Sequence, residues 1–404
     1  MSSTPLASPL ACPAPAPSAS RLSRARTATR VLFAVLGLAG GAWGVHIPSV
    51  KAQYGLDEAM LSLVLLSAAA GAVTSLFTAG RVVAWLGARG AARVCAVVMG
   101  ALLALVLQWP SLALLLPAML AFGAAMSLYD VAINAEGSAL EALGGTTIMS
   151  GLHGMFSLGA MGGAALAAGL LRLEVSPQTQ LAGVGLLMAA TVLWAARGML
   201  DTHPAPEPDE AAQAQFAWPR GQLLVIGLLI FAGMSAEGVM YDWCVLYLKQ
   251  EIGMPQAQAG LGYAAFAGAM ALARFAGDWL RTRHDEASLL AYSAGLSAFA
   301  MAVVLVCADP WVALVGYVFV GAGLAPVVPI LYNAATRVPG TSRAAAIASV
   351  SSIGYSGFLI GPPLIGAIAH ALSLAAAMSV VVISASLLSI CAHRIPVARA
   401  APRS

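Results

Sequence analysis

Residues 123–163 combine an apolar sequence with side chains that could move protons or bind a polar solute. A charged group at the centre of a bilayer costs about 3 kcal/mol or more, so such groups normally face a bundle interior or a wet cavity. This stretch therefore predicts a polar site buried among membrane helices. It carries Asp130, Asn134, Glu136, Glu141 and His153.

The spacing within this stretch places most of its small and polar residues on one face of a helix. Small residues on such a face let another helix approach, and the polar ones need partners or water. Glu136 lies off this face. Alternating steps of four and three residues connect Gly123, Ser127, Asp130, Asn134, Gly137 and Glu141.

Asp130 is the leading candidate for proton coupling, because a carboxyl group in an apolar bundle can load and release a proton near neutral pH. The alternative is a structural carboxylate that is hydrogen-bonded to a neighbouring helix. Asn134, one turn further, offers both a donor and an acceptor to a hydroxylated solute. Helix packing is the competing interpretation of Asn134.

A second polar group occurs in the segment AEGVMYDW at residues 236–243. Glu237 and Tyr241 lie four residues apart and share a helix face, so they could complete a cavity opposite Asp130. We predict proton coupling for Glu237 and substrate binding for Tyr241. Asp242 points elsewhere and is a gating candidate. Alternatively, Glu237 or Asp242 forms an interhelical pair with Lys249 or another cation.

Further candidates rest on residue type alone. Aromatic rings can stack on the apolar face of a sugar, although they also pack in any helix bundle. Proline kinks can serve as bending points or only as fixed shape. The additional substrate-binding candidates are Trp43, His46, Phe156, Asn333 and Tyr355, and the additional gating candidates are Arg81, Arg89, Pro362 and Pro363.

The composition indicates a membrane protein with many spans. Hydrophobic residues make up 60% and charged residues 9% of the 404 residues, whereas a soluble domain carries about 25% charged residues. The five scattered cysteines show no metal-binding spacing. We find no nucleotide-binding loop, nucleophile elbow or basic patch. We therefore predict no enzymatic activity, no cofactor, no metal and no nucleic-acid partner.

Apolar segments of roughly 20 residues, the length that a bilayer requires, recur along the chain and predict an all-α membrane protein. We place twelve spans near 29–50, 58–79, 91–109, 112–140, 147–171, 178–199, 221–248, 257–280, 287–307, 311–335, 344–369 and 371–392. The predicted units are a disordered tail (1–28), a six-helix bundle (29–199), a Pro-rich acidic linker (200–220), a second bundle (221–392) and a tail (393–404).

Basic residues orient this arrangement. With a cytoplasmic N-terminus, 17 of the 20 lysines and arginines fall in the tails, the cytoplasmic loops or adjoining helix ends. Only Lys51, Arg172 and Lys249 fall elsewhere. The positive-inside rule therefore places both termini and the linker in the cytoplasm.

The two bundles also repeat each other at an offset of roughly 197–200 residues, a pattern found in transporters whose site lies between parallel repeats. The pairs that align are Gly55 with Gly253, Gly71 with Gly268, Gly80 with Gly277, Gly123 with Gly321, and Ser157 with Ser356.

Twelve spans, a repeat of six and a central loop resemble the major facilitator superfamily over residues 30–395. The segments YDVAINAEG (129–137), GLHGMFSLG (151–159), AEGVMYDW (236–243) and GFLIGPPLIG (357–366) resemble YbjJ-type inner-membrane proteins of the fucose permease-like branch. Asp130 matches the helix 4 carboxylate of that branch. The first span, however, offers GGAWGVHIP and no acid. The loop GRVVAWLG has Ala84 and Trp85 where the superfamily usually has Asp and Arg, which puts the usual charge-relay gating there in doubt.

The resemblance implies a monomeric secondary active transporter in a bacterial inner membrane. We expect proton-coupled uptake of a small polar, sugar-like solute by alternating access. The alternative is a proton-driven efflux antiporter of drugs or metabolites. Such proteins usually carry a Gly-Pro motif in their fifth span, and GMFSLGAMGG has no proline. A non-transporting membrane sensor is a further alternative.

Overall fold

A computed structural model describes residues 18–201 and 219–395, and these ranges contain helices and no strands. The first half contains α1 (Ala19–Gln53), α2 (Glu58–Leu105), α3 (Leu112–Gly144), α4 (Met149–Arg172) and α5 (Pro177–Ala195). The second half contains α6 (Gln222–Gln250), α7 (Gln256–Arg283), α8 (Glu286–Cys307), α9 (Pro310–Leu324), α10 (Val327–Ala335), α11 (Arg343–Ala371) and α12 (Leu374–Cys391). Short 3-10 helices, Ala196–Gly198 and Ala392–Arg394, follow α5 and α12.

Eleven helical segments of the described chain are long and apolar enough to cross a membrane. Helices α9 and α10 together form one of them, Pro310–Ala335. Helix α2 has 48 residues, or about 72 Å at 1.5 Å per residue, which exceeds twice the hydrocarbon thickness of about 30 Å. At Gly87 its backbone leaves the helical region (φ 69°, ψ 155°), a conformation that glycine adopts readily. The predicted all-α membrane fold is confirmed, and α2 accounts for two predicted spans.

The predicted boundary between the disordered tail (1–28) and the first bundle is wrong. Helix α1 begins at Ala19, ten residues before the predicted start at 29. Ser18 caps the helix by accepting a hydrogen bond from the Arg21 amide at 3.3 Å. The Arg21 guanidinium also donates to the Met199 carbonyl at 2.7 Å and to Asp201 at 2.9 Å. These contacts fix the basic segment against the end of the first half. The other parts of the predicted tails and linker, 1–17, 202–218 and 396–404, lie outside the described residues.

The prolines of α11 do not interrupt it. Pro362 and Pro363 lie inside the continuous helix Arg343–Ala371. By contrast, Pro326 marks the boundary between α9 and α10. A helix can retain its course through a proline when neighbouring helices compensate for the lost backbone hydrogen bond.

The internal repeat is visible in the packing. A Cβ atom at Gly123 would lie 1.8 Å from the Ala68 carbonyl oxygen, so α3 lies directly against the backbone of α2. The same contact recurs 198 residues later, where a Cβ atom at Gly321 would lie 2.2 Å from the Phe266 carbonyl oxygen. In this way glycine at both positions sets the distance between equivalent helix pairs.

The two halves contact each other most extensively along one helix pair. Phe275 packs on Gly154, Met161 on Gly268, and Ala168 near Gly260, so α4 and α7 run antiparallel in contact over most of their length. We call the end of the bundle where α1 begins and α12 ends the terminal end. Near the opposite end, Gly366 of α11 also packs against Ser62 of α2.

Candidate functional site

An ion pair at the boundary of the halves forms the centre of the candidate site. Arg274 of α7 donates from Nη2 to Oε1 of Glu237 in α6 at 3.0 Å, and the two side chains are only 13% and 16% exposed. Its Nη1 atom donates to Ser157 Oγ of α4 at 2.7 Å. A carboxylate, a hydroxyl and a guanidinium from three helices therefore meet in one place.

The sequence predicted Glu237 but not its partner. Of the alternatives proposed for pairing, Lys249 instead donates to Gln256 at 2.9 Å, and another cation, Arg274, pairs with Glu237. Arg274 was grouped with basic residues at helix ends, yet it lies nine residues inside α7. A lone cation within an apolar span requires a counterion, and that requirement is the signal that could have found it.

Tyr241 belongs to an aromatic wall beside this ion pair. Its ring lies 5.5 Å from the ring of Tyr263 and 5.3 Å from that of Phe266. Tyr263 reaches the first half, where its ring covers Gly44 and its hydroxyl approaches the Gly40 carbonyl at 3.4 Å. The aromatic wall therefore belongs to the second half and contacts the first half through Tyr263.

Asp130 lies on α3 and is partly exposed. Two residues near it in the sequence, Tyr129 and Asn134, make different contacts. Tyr129 is fully buried and donates to the Leu32 carbonyl at 3.1 Å. Asn134 donates to the backbone carbonyl of Asp130 at 2.9 Å. Within the described ranges, no lysine, arginine or histidine pairs with the Asp130 carboxylate. Tyr355 of α11, 36% exposed, lies near enough to interact with Asp130 electrostatically.

The other carboxylates of residues 123–163 hold the backbone in place. Glu136 is fully buried and accepts a hydrogen bond from the Leu200 amide at 2.8 Å. Glu141 accepts hydrogen bonds from the amides of Ile148 and Met149 at 2.5 and 2.9 Å. Glu141 therefore caps α4, since the first amides of a helix have no partner within it.

Two predicted substrate-binding residues make polar contacts with neighbouring side chains. His46 is fully buried, with Nε2 3.0 Å from Gln180 Oε1 and Nδ1 3.3 Å from Ser49 Oγ. Asn333 donates to Glu286 at 2.9 Å, where Arg337 also binds. Both side chains make these contacts inside their own half, and their roles in substrate binding remain predictions.

Trp43 and Phe156 remain predictions for substrate binding. Both are half-buried. The ring of Trp43 lies 6.2 Å from that of Phe122 on α3. Phe156 lies on α4 one residue before Ser157, and a Cβ atom at Gly37 would lie 1.9 Å from its carbonyl oxygen.

The basic gating candidates do not join the halves in this structure. Arg89 donates to the Met199 carbonyl and, at 2.6 Å, to the Asp201 carboxylate. The hydrogen bond and charge of Arg89, supported by those of Arg21, hold the pKa of Asp201 below its usual range. Arg81 is exposed. These contacts secure the terminal end of the first half.

Two other gating candidates meet in one groove. Asp242 of α6 and Pro362 of α11 both line it, together with Ser235 and Phe358. Pro363 is not part of its wall. Asp242 therefore points away from the ion pair of Glu237, as its helical position predicts.

Sequence comparison assigns this architecture to a family. The model of the Major Facilitator Superfamily matches residues 31–338 and, in a second match, 223–403. An uncharacterized MFS-type transporter of Yersinia pestis is 35% identical over 356 residues, which cover 88% of this chain and 92% of the relative. The membrane protein MosC of Rhizobium meliloti is 31% identical over 357 residues, covering 87% and 85%.

Solved structures share the fold at low identity. A D-xylose–proton symporter superposes with a TM-score of 0.74 at 12% identity, covering 92% of this chain and 97% of that one. The Escherichia coli fucose–proton symporter FucP superposes with a TM-score of 0.61 at 15% identity, covering 91% and 97%. At such identities the likeness concerns the fold alone.

Proposed function

This chain belongs to the major facilitator superfamily of membrane transporters, and we propose that it carries out proton-coupled uptake of a small polar solute by alternating access. It is a transporter and not an enzyme. We place it in the fucose permease-like branch, acting as a monomer in a bacterial inner membrane. Both termini and the linker lie in the cytoplasm in this proposal, which the distribution of arginine and lysine supports.

The observation that carries the proposal is Asp130 without a cationic partner among the described residues. A carboxylate among membrane helices is retained at a cost, so an unpaired one suggests use. Asn134 lies one turn away, and Tyr355 approaches from the other half. A proton taken up by Asp130 would change the charge of the surface between α3 and α11. Alternating access could then depend on that charge.

Glu237 has a second role in this proposal. Because it already pairs with Arg274, its protonation would release the guanidinium from its counterion. The hydrogen bond from Arg274 to Ser157 links that event to the contact between the halves. Glu237 would therefore couple protonation to movement, while Asp130 responds to the gradient.

The direction of the pH gradient separates uptake from efflux. Purified protein in proteoliposomes, screened with sugars, polyols and organic acids, should accumulate a solute when the outside is acidic. Accumulation with an acidic interior would establish the antiport alternative instead. If no solute or drug moves under either gradient, the protein is not a proton-coupled transporter.

Substitutions at Asp130 test the residue itself. Asp130→Asn should abolish gradient-driven accumulation, because an amide cannot exchange a proton, while equilibrium exchange of the solute continues. Asp130→Glu is the matched control and should retain part of the accumulation. If Asp130→Asn still accumulates the solute, coupling lies elsewhere and Glu237 is the next candidate.

A further inference from the structure

The groove between α6 and α11 contains a second carboxylate without a partner. No described residue donates a hydrogen bond to the Asp242 carboxylate, and no described lysine, arginine or histidine pairs with it. The free volume of the groove is about 20 Å3, which suits one particle the size of a water molecule.

A buried hydroxyl in the same groove also has no partner. Ser235 is 8% exposed, and its Oγ atom has no hydrogen-bond partner among the described residues. Gly357 lies opposite, where a Cβ atom would be 2.9 Å from this oxygen. A buried hydroxyl left unsatisfied costs about 1–3 kcal/mol. It therefore adds a second polar group without a partner among the described residues to the wall of the groove.

One backbone carbonyl of α11 lacks its usual helical donor. Proline has no amide hydrogen, so Pro362 cannot donate to the carbonyl of Phe358, four residues earlier in α11. Both residues line the groove. Helices α6 and α11 run in the same direction, each rising 1.5 Å per residue, and Gly357 faces Ser235. Along the helix axes, Phe358 therefore lies between Ser235 and Asp242.

We propose that this groove binds one Na+ ion. The Asp242 carboxylate and the Phe358 carbonyl are its direct ligands, whereas Ser235 lies about two turns below Asp242, too far to coordinate the same ion. Hard cations take oxygen ligands, and carbonyls freed from helix hydrogen bonds coordinate Na+ in other transporter folds. One carboxylate balances one monovalent charge. Within the described residues, no group of three His, Cys, Asp or Glu side chains could hold a divalent metal.

The test measures Na+ binding to the full-length purified protein without any substrate. Thermal unfolding is followed while NaCl replaces choline chloride at constant ionic strength. Binding at saturating Na+ should raise Tm by about 3 °C. Asp242→Asn should remove this shift, whereas Asp130→Asn, the same change at the other unpaired carboxylate, should retain it. An equal shift in Asp242→Asn, or no difference between NaCl and choline chloride, would overturn the proposal.

The two neighbouring prolines provide a second test that leaves every charge in place. Pro362→Ala provides an amide that can donate to the Phe358 carbonyl and so compete with the ion. The Na+ concentration that gives half of the maximal rise in Tm should therefore increase about tenfold, equivalent to about 1.4 kcal/mol. Pro363→Ala is the matched control and should leave it unchanged, because Pro363 does not line the groove. Equal effects of both substitutions would exclude the Phe358 carbonyl as a ligand. The Na+ shift does not depend on proton coupling, so the two proposals fail separately.

Discussion

Arg274 and Glu237 form an ion pair in which Nη2 lies 3.0 Å from Oε1, beside the contact between the two halves. The same guanidinium donates to Ser157 of the first half. One side chain therefore connects α7 to α6 within its own half and to α4 across the boundary. In an alternating-access cycle the bond to Ser157 is the one that movement between the halves would have to change.

Removing one member of this pair should destabilise the protein strongly. Arg274→Gln leaves Glu237 with an uncompensated charge, and breaking a buried pair in this way costs about 3–5 kcal/mol. The double variant Glu237→Gln with Arg274→Gln should recover part of that loss, since neither charge remains. Thermal or denaturant unfolding of the two single variants and the double variant measures the coupling. Strictly additive losses would show that the pair is not energetically coupled.

The hydrogen bond across the boundary should have a smaller effect. Ser157→Ala removes the acceptor for Arg274 but keeps the ion pair, so the free energy of unfolding should fall by about 1 kcal/mol. Hydrogen exchange should increase in α4 and α7 in particular. Ser67→Ala is the control, because the exposed hydrogen bond of Ser67 runs to Leu63 within α2. A uniform increase in exchange over all helices would contradict a role at the boundary.

Close packing of α2 and α3 should make Gly123 intolerant of any side chain. Gly123→Ala would place Cβ 1.8 Å from the Ala68 carbonyl oxygen, and the forced separation should cost about 1–3 kcal/mol or more. Gly162→Ala is the matched control within α4, where nothing lies within 4 Å of the added Cβ. Its Tm should stay equal or rise slightly. Equal losses at both positions would mean that helix propensity, rather than contact, decides.

His46 should matter for stability and not for solute binding. His46→Leu leaves Gln180 without one of its partners in a fully buried place, which should cost about 1–3 kcal/mol. The KM for the transported solute should remain unchanged when measured below the lowered Tm. Trp43→Ala is the comparison, since Trp43 is only half-buried and should raise KM if it lines the cavity. A raised KM in His46→Leu would instead support the predicted place of His46 in the binding site.

Much of the architecture follows from the sequence because it depends on length and composition. Apolar segments of bilayer length, the basic residues and the recurring glycines predicted an all-α membrane protein made of two similar halves. Gly123 and Gly321 show why this works. Gly123 packs against the Ala68 carbonyl and Gly321 against the Phe266 carbonyl, and the two contacts lie 198 residues apart in the sequence. The helical period also separated Asp242 from the face of Glu237 and Tyr241.

The partners of the polar residues were decided by the tertiary structure. Helices that are apolar on most faces have weak amphipathic patterns, so the sequence does not define their rotation and register against one another. For this reason it could not show that Glu237 meets Arg274, that His46 meets Gln180, or that Asn333 meets Glu286. Each of these contacts joins side chains on different helices. Only the packed bundle determines which polar groups remain unpaired and therefore available for function.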